Sequence, residues 1–174
     1  LKKGTIREID EQQSVEQFEM LSATAEKNGF IQYEVSNFAL PGYFSKHNSS
    51  YWKQTEYIGI GPSAHSFNMQ NRQWNVSNLE TYLSSILEGK VPCETEILST
   101  NDKFNDYIIT SLRTIWGVDM QYVEQNFGNK LLSDLIKMAK KYIDNEQLSI
   151  DSNKMFLTKK GIFISDTIMS DLIV

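Results

Sequence analysis

The sequence predicts an α/β chain in two parts, a short α/β segment followed by a helical module in the order of a winged helix. Three observations carry that prediction. A helical pattern stops at Gly29 and runs within a residue into the alternating stretch Phe30–Val35, the order found in the second half of a βαβ unit. From Phe104 onward three helical periodicities are followed by a hairpin pattern and a closing helix. A hydrophobic share of 40%, with 11% aromatic residues over 174 positions, supplies a sizeable core and argues against disorder.

The elements follow in chain order. Residues 1–13 are polar and without period, and read as a loop. Ser14 with Gln17 three residues on is a capping-box pair. Val15, Phe18, Leu21 and Ala25 recur at helical spacing, and Gly29 supplies the stop. Phe30–Val35 alternates as a strand. The stretch from Asn37 to Trp52, with its Leu40-Pro41-Gly42 turn, reads as an ordered loop. Tyr57–Gly61 reads as a short buried strand whose glycines mark the close approach of a backbone or ligand, ended by Pro62. Gln73-Trp74-Asn75 is one more short strand.

Ser77 and Glu80 form a second capping pair, ahead of an apolar stripe of Leu79, Tyr82, Leu83, Ile86 and Leu87 that ends at Gly89. Residues 90–98 read as a connector, and the best boundary lies near Ser99, dividing the chain into 1–98 and 99–174. Beyond it, Phe104, Tyr107, Ile108, Leu112 and Ile115 define a helix that stops at Gly117. Asp119 caps a short helix through Phe127, and Leu131 to Ile143 define another. Leu148–Ile150 and Lys154–Leu157 flank a turn at Asp151-Ser152-Asn153, and Thr158 caps one last helix through Leu172.

Composition excludes several classes. A net charge of −5 argues against a general nucleic-acid surface. From Phe104 to the end, eight Lys and Arg face nine Asp and Glu, so a DNA-binding winged helix is a remote alternative despite Lys137, Lys140 and Lys141 on one helix. No apolar run approaches the ~20 residues that span a bilayer. The single cysteine, Cys93, excludes an internal disulfide framework or a three-cysteine metal or cluster site within these residues, and a reducing cytoplasm is the default. The start Leu1-Lys2-Lys3, without Met, reads as a piece of a longer protein.

Candidate chemistry gathers between Tyr33 and Phe67, where both histidines lie. His47, flanked by Lys46 and Asn48, has Tyr51 and Trp52 four and five residues on. Spacing alone leaves two readings. One is an exposed loop histidine with Trp52 packed beneath it. The other is a ligand or acid/base group beside two flat rings, which suits a planar, amphipathic ligand. His65, after Gly-Pro-Ser-Ala, reads as a hydrogen-bonded structural histidine. Glu34 would line a site if its face of the strand turns inward. Gly59 and Gly61 lack the continuation of a dinucleotide fingerprint.

The blocks Tyr33-Glu34-Val35-Ser36-Asn37-Phe38-Ala39, Pro41-Gly42, His47-Asn48-x-x-Tyr51-Trp52 and Tyr57-Ile58-Gly59-Ile60-Gly61-Pro62-Ser63-Ala64-His65-Ser66 resemble the oxygen-independent coproporphyrinogen III oxidase family of radical S-adenosylmethionine proteins. The resemblance continues through Trp74-Asn75 and Leu112-Arg113-Thr114-x-x-Gly117-Val118-Asp119 to Leu157-Thr158-x-x-Gly161. It implies the last strands of a partial (β/α) radical S-adenosylmethionine barrel followed by a helical, winged-helix-like C-terminal domain.

Two functions stand within that family, oxidative decarboxylation of coproporphyrinogen III and heme transfer by a chaperone branch. The intact His-Asn-x-x-Tyr-Trp element favours the chaperone branch. The resemblance implies heme contacts at His47, Asn48, Tyr51 and Trp52, with Glu34, Ser36, Asn37, Gly59, Gly61 and His65 lining the site. It further implies a [4Fe–4S] cluster and S-adenosylmethionine in a full-length protein, whose cysteine loop these residues do not contain. The implied partners are heme and an acceptor protein, not nucleic acid. Peripheral membrane association of the full-length protein stays open, since these residues do not report on it.

Overall fold

The computed structural model describes residues 10–174. The expected loop at residues 1–13 therefore lies largely outside the described residues, and its last part is helical. Helix α1 (Glu11–Lys27) begins four residues earlier than the Ser14 pattern suggested, because the Asp10 carboxylate accepts from both Gln12 and Gln13 backbone N–H groups. One carboxylate meeting two orphan donors outcompetes a hydroxyl, and Ser14 instead donates to the Asp10 carbonyl at 3.1 Å.

Strands β1 (Ile31–Glu34) and β2 (Asn37–Ala39) form an antiparallel hairpin. A helix, α2 (Lys46–Trp52), follows. The expected loop over 37–52 is thus a strand and a helix. The helix starts because the Ser45 hydroxyl accepts from Asn48 N–H at 3.2 Å, a cap that the polar composition of the stretch concealed.

Strands β3 (His65–Phe67) and β4 (Asn71–Asn75), helix α3 (Leu79–Leu87) and strand β5 (Cys93–Ile97) come next. The three strands make an antiparallel sheet with β4 in the centre. The expected strand at Gln73–Asn75 is present and longer. The expected connector at 90–98 is largely β5. Tyr57–Gly61 is not a buried strand: it makes a single bridge, Tyr57 to Phe67, and Ile58 and Ile60 are 85% and 88% exposed. The cap of α3 is Asn78, whose Oδ1 accepts from Thr81 N–H at 2.9 Å, so the cap falls one residue beyond Ser77. Of the stripe of α3, only Tyr82 is half-buried, while Leu79, Leu83, Ile86 and Leu87 are all exposed.

Helix α4 (Thr100–Leu112) carries a full capping box between Ser99 and Asp102. After it come β6 (Val118–Asp119), α5 (Met120–Phe127), α6 (Asn129–Asp144) and the hairpin β7 (Leu148–Asp151) and β8 (Lys154–Leu157). Strand β8 is the middle strand of the third sheet. The single closing helix is two pieces, α7 (Lys159–Ile162) and α8 (Ser165–Leu172), because Ile164 leaves helical geometry at φ −119° and ψ 26°. Every strand pair among the described residues is antiparallel.

Among the described residues the main hydrophobic cluster lies in this second part. Phe104, Ile108 and Leu112 of α4 meet Leu135 and Ala139 of α6, Met155 of β8, and Ile168 and Leu172 of α8, all at 1% exposure or less. Burial at that level stabilises by roughly 1.5–3 kcal/mol for each large side chain. The first part meets the second through polar contacts and one aromatic pair, Phe18 with Phe163 at 5.3 Å. Arg72 of β4 pairs with Asp106 of α4, and Lys159 of α7 reaches Glu26 of α1 at 2.8 Å.

Candidate functional site

Helix α2 turns 100° per residue, so the His47–Trp52 element is divided between two faces. His47 and Tyr51 lie one turn apart, exposed, with their rings edge to face at 5.0 Å. Tyr51 meets Tyr57 edge to face at 4.9 Å, and Tyr57 lies 6.1 Å from Phe67. An aromatic run therefore leads from His47 to strand β3. Burial pushes the Tyr57 phenol above its ordinary range, and the neighbouring Tyr51 adds to the shift.

Asn48 and Trp52 occupy the other face. The Trp52 ring receives the Arg113 guanidinium at 5.3 Å, and the next residue, Lys53, lies over the Trp116 ring at 4.6 Å. The Trp52 Nε1–H and Ser49 Oγ are shut from solvent without a hydrogen-bond partner. The helix is thus presented outward on its histidine side and docked on its tryptophan side.

Arg113 is the residue that sequence reading passed over, although it stands inside the Leu112-Arg113-Thr114 block. Its Nε and Nη2 each lie 3.1 Å from Oε1 of Glu34, whose side chain is 1% exposed. The other oxygen of Glu34 accepts from Ser36 N–H at 2.9 Å and from Asn37 Nδ2 at 2.6 Å. Val35 N–H donates to the Arg113 carbonyl and Ile115 N–H to the Tyr33 carbonyl, which stitches the β1–β2 hairpin to the end of α4. Glu34, Ser36 and Asn37 thus form one cluster, with the acceptors of Glu34 fully engaged by protein donors.

Gly59 and Gly61 form a second cluster with β3 and β4. Asn75, 3% exposed, donates through Nδ2 to the carbonyls of Gly59 and Gly61 at 3.3 and 2.9 Å. Gly59 N–H donates to Ser66 Oγ at 3.0 Å and Gly61 N–H to the Tyr82 hydroxyl at 3.1 Å. A Cβ on Gly59 would stand 2.1 Å from the His65 carbonyl oxygen, so the close approach expected of this glycine is made by a backbone. The His65 side chain is exposed beside Trp74, ring centroids 6.3 Å apart, and makes no hydrogen bond among the described residues. The expected hydrogen-bonded histidine is a ring packed on a ring.

The comparisons with known proteins bear on this geometry. Residues 98–164 match the family described as the HemN C-terminal domain. Over almost its full length the chain is similar to proteins named as heme chaperones. It is 27% identical to a heme chaperone HemW of Bacillus subtilis, across 97% of this chain and 45% of that protein. It is 29% identical to a heme chaperone HemW of Lactococcus lactis, across 96% and 44%. A mitochondrial radical S-adenosyl methionine domain-containing protein 1 of Bos taurus is 27% identical across 99% of the chain and 42% of its own length. Among solved structures, coproporphyrinogen III oxidase (HemN) from Escherichia coli, a radical SAM enzyme, shares the fold with a TM-score of 0.73 and 17% identity, over 95% of this chain and 42% of that one. The chain thus spans less than half the length of the relatives it matches.

Two of the lysines of α6 are paired. On α6, Lys140 is paired with Asp144 at 2.9 Å and Lys141 with Asp171 at 2.5 Å, which leaves Lys137 as the one of the three without an ion-pair partner among the described residues. No described helix is long and apolar enough to cross a membrane.

Proposed function

We propose that this chain is part of a radical S-adenosylmethionine heme chaperone and that the outward face of α2 takes part in heme binding. The observation that carries the reading is the exposed His47 imidazole, edge-on to Tyr51 at the open end of the Tyr51–Tyr57–Phe67 aromatic run. A neutral imidazole is a ligand for heme iron, and flat aromatic neighbours suit a flat macrocycle. Heme is cargo here, to be handed to an acceptor protein, and the relatives named as heme chaperones support that role.

Residues 1–98 are read as the end of the radical S-adenosylmethionine barrel with its connecting helix, and 99–174 as the helical, winged-helix-like C-terminal domain. The chain holds one cysteine, and among the described residues no group of three or more His, Cys, Asp or Glu could hold a metal ion. The residues present therefore do not fit a three-thiolate [4Fe–4S] cluster. Cluster and S-adenosylmethionine binding fall to other residues of a longer protein. A cytoplasmic setting goes with the reading.

The test is a heme titration of the full-length protein and its His47→Ala variant. The expected result is a weaker dissociation constant and an altered heme absorption band in the variant. Unchanged affinity and spectrum would overturn the role of His47. Turnover of coproporphyrinogen III by the reconstituted protein would move the assignment to the oxidase.

A further inference from the structure

The inward side of α2 borders a cleft that the proposed function has not used. It has a volume of about 300 Å³ and lies between the C-terminal end of α2 and the second part of the chain, with Trp52, Trp116, Tyr107 and Tyr122 among its walls and Lys53 and Lys154 beside them. The Tyr107 and Tyr122 rings pack on each other at 4.5 Å. The size is at the small end of the ~300–1,000 Å³ range of small-molecule sites, enough for a bicyclic ring or one edge of a macrocycle.

The polar groups of the cleft decide the class of occupant. Asp119 borders it, yet its Oδ1 is engaged by Gln121 and Tyr122 N–H groups at 3.0 and 3.1 Å as the cap of α5. Thr114 Oγ1 donates to the Ser111 carbonyl, and the Tyr107 hydroxyl accepts from Asp119 N–H at 3.0 Å. The two lysines differ: neither lies within 4.0 Å of a carboxylate among the described residues, and Lys53 has only the Trp116 ring beneath it. Two ammonium groups thus stand against the one carboxylate of Asp119, whose second oxygen has no hydrogen-bond partner among the described residues, and the cleft is net cationic among aromatic walls. A flat conjugated ring would stack there, and a carboxylate would meet the ammonium groups.

We infer that this cleft binds the carboxylate-bearing edge of a planar conjugated ligand, with Lys154 and Lys53 as the anion contacts and Trp52 and Trp116 as stacking walls. Resting on the proposed function, the ligand is the propionate edge of the tetrapyrrole. Trp52 would then join two parts of one site, since His47 projects from the opposite face of the same helix. A free aromatic acid is the other source of the same chemistry.

The full-length protein is titrated with metal-free protoporphyrin IX, its dimethyl ester and 2-naphthoate, following quenching of tryptophan emission. Metal-free ligands remove any contribution from iron–imidazole coordination. Loss of a charge-assisted contact predicts a dissociation constant for protoporphyrin IX raised roughly tenfold in Lys154→Gln, with Lys154→Arg near wild type. The dimethyl ester should bind wild type as weakly as the acid binds Lys154→Gln. Lysine-dependent binding of 2-naphthoate with no porphyrin binding keeps the cleft as a site for free aromatic acids. Equal affinity of acid and ester, indifference to Lys154, or no binding of any probe overturns the inference. The heme titration of His47→Ala reads the proposed function separately, so either can fail alone.

Discussion

Arg113→Met isolates what holds the first part of the chain to the second. The substitution keeps much of the aliphatic stem and removes the guanidinium from the buried Glu34 carboxylate, which lies 3.1 Å from it at two nitrogens. Breaking a buried pair from one side costs roughly 3–5 kcal/mol, because a charge is left without its partner. Glu34 keeps the Ser36 N–H and Asn37 amide donors, and Arg113 is 25% exposed, so the lower end applies, about 3 kcal/mol.

The reverse change, Glu34→Gln, puts an amide NH₂ among donors and should cost about 2 kcal/mol. The assay is urea unfolding followed by circular dichroism. With an m-value of ~2 kcal/mol/M, Arg113→Met should lower the midpoint by roughly 1.5 M. The double variant should be less destabilised than the sum by at least ~1 kcal/mol, since the second change removes the orphan charge that the first created. A midpoint shift below about 0.3 M, or strict additivity, would refute the claim that this ion pair joins the two parts.

Three further outcomes follow from the same contacts. Gly59→Ala should destabilise by roughly 1–3 kcal/mol by thermal melting, because its Cβ would stand 2.1 Å from the His65 carbonyl oxygen and backbone must move. Asn75→Ala leaves the carbonyls of Gly59 and Gly61 without their side-chain donor and should cost about 1–3 kcal/mol. Its signature is faster amide exchange at residues 59–66 with α6 unaffected. Acid should weaken the contact of α8 with α6: hydrogen bonds from Lys141 and Tyr142 hold the Asp171 carboxyl below the ordinary 3.8. A lowered folded-state value means the contribution is complete above 3.8 and is lost as pH falls through that lower value, so Asp171→Asn should show a shallower fall in Tm below pH 4 than wild type.

The second part of the chain was legible in the sequence because its instructions are local. Asp119 announces α5, the α6 stripe is regular, and the Asp151-Ser152-Asn153 turn has the residues a hairpin needs, two of them at positive φ. The first part was misread where distant residues do the work. The partner of Glu34 lies 79 positions away, and the Gly59–Gly61 segment is held by Asn75 and Tyr82 rather than by a strand. The apolar stripe of α3 shows a further limit: periodicity says that a helix has a face, not that the face is covered by residues of the same chain.

The helical form of residues 46–52 divides the candidate site. In an extended loop, His47, Tyr51 and Trp52 could all address one ligand face. On a helix, residues four apart share a side and the fifth turns away, so His47 and Tyr51 face out while Trp52 meets Arg113. Arg113 in turn grips Glu34, so the residues around the helix that look like ligand contacts also fix the seat of that helix. The Trp52 Nε1–H remains buried without an acceptor, which costs on the order of 1–3 kcal/mol in this position. A ligand bridging the outward face and the cleft would act on the same short helix from both sides. The seven residues of α2 are therefore the place where the proposed ligand capture and the docking of the second part of the chain would meet.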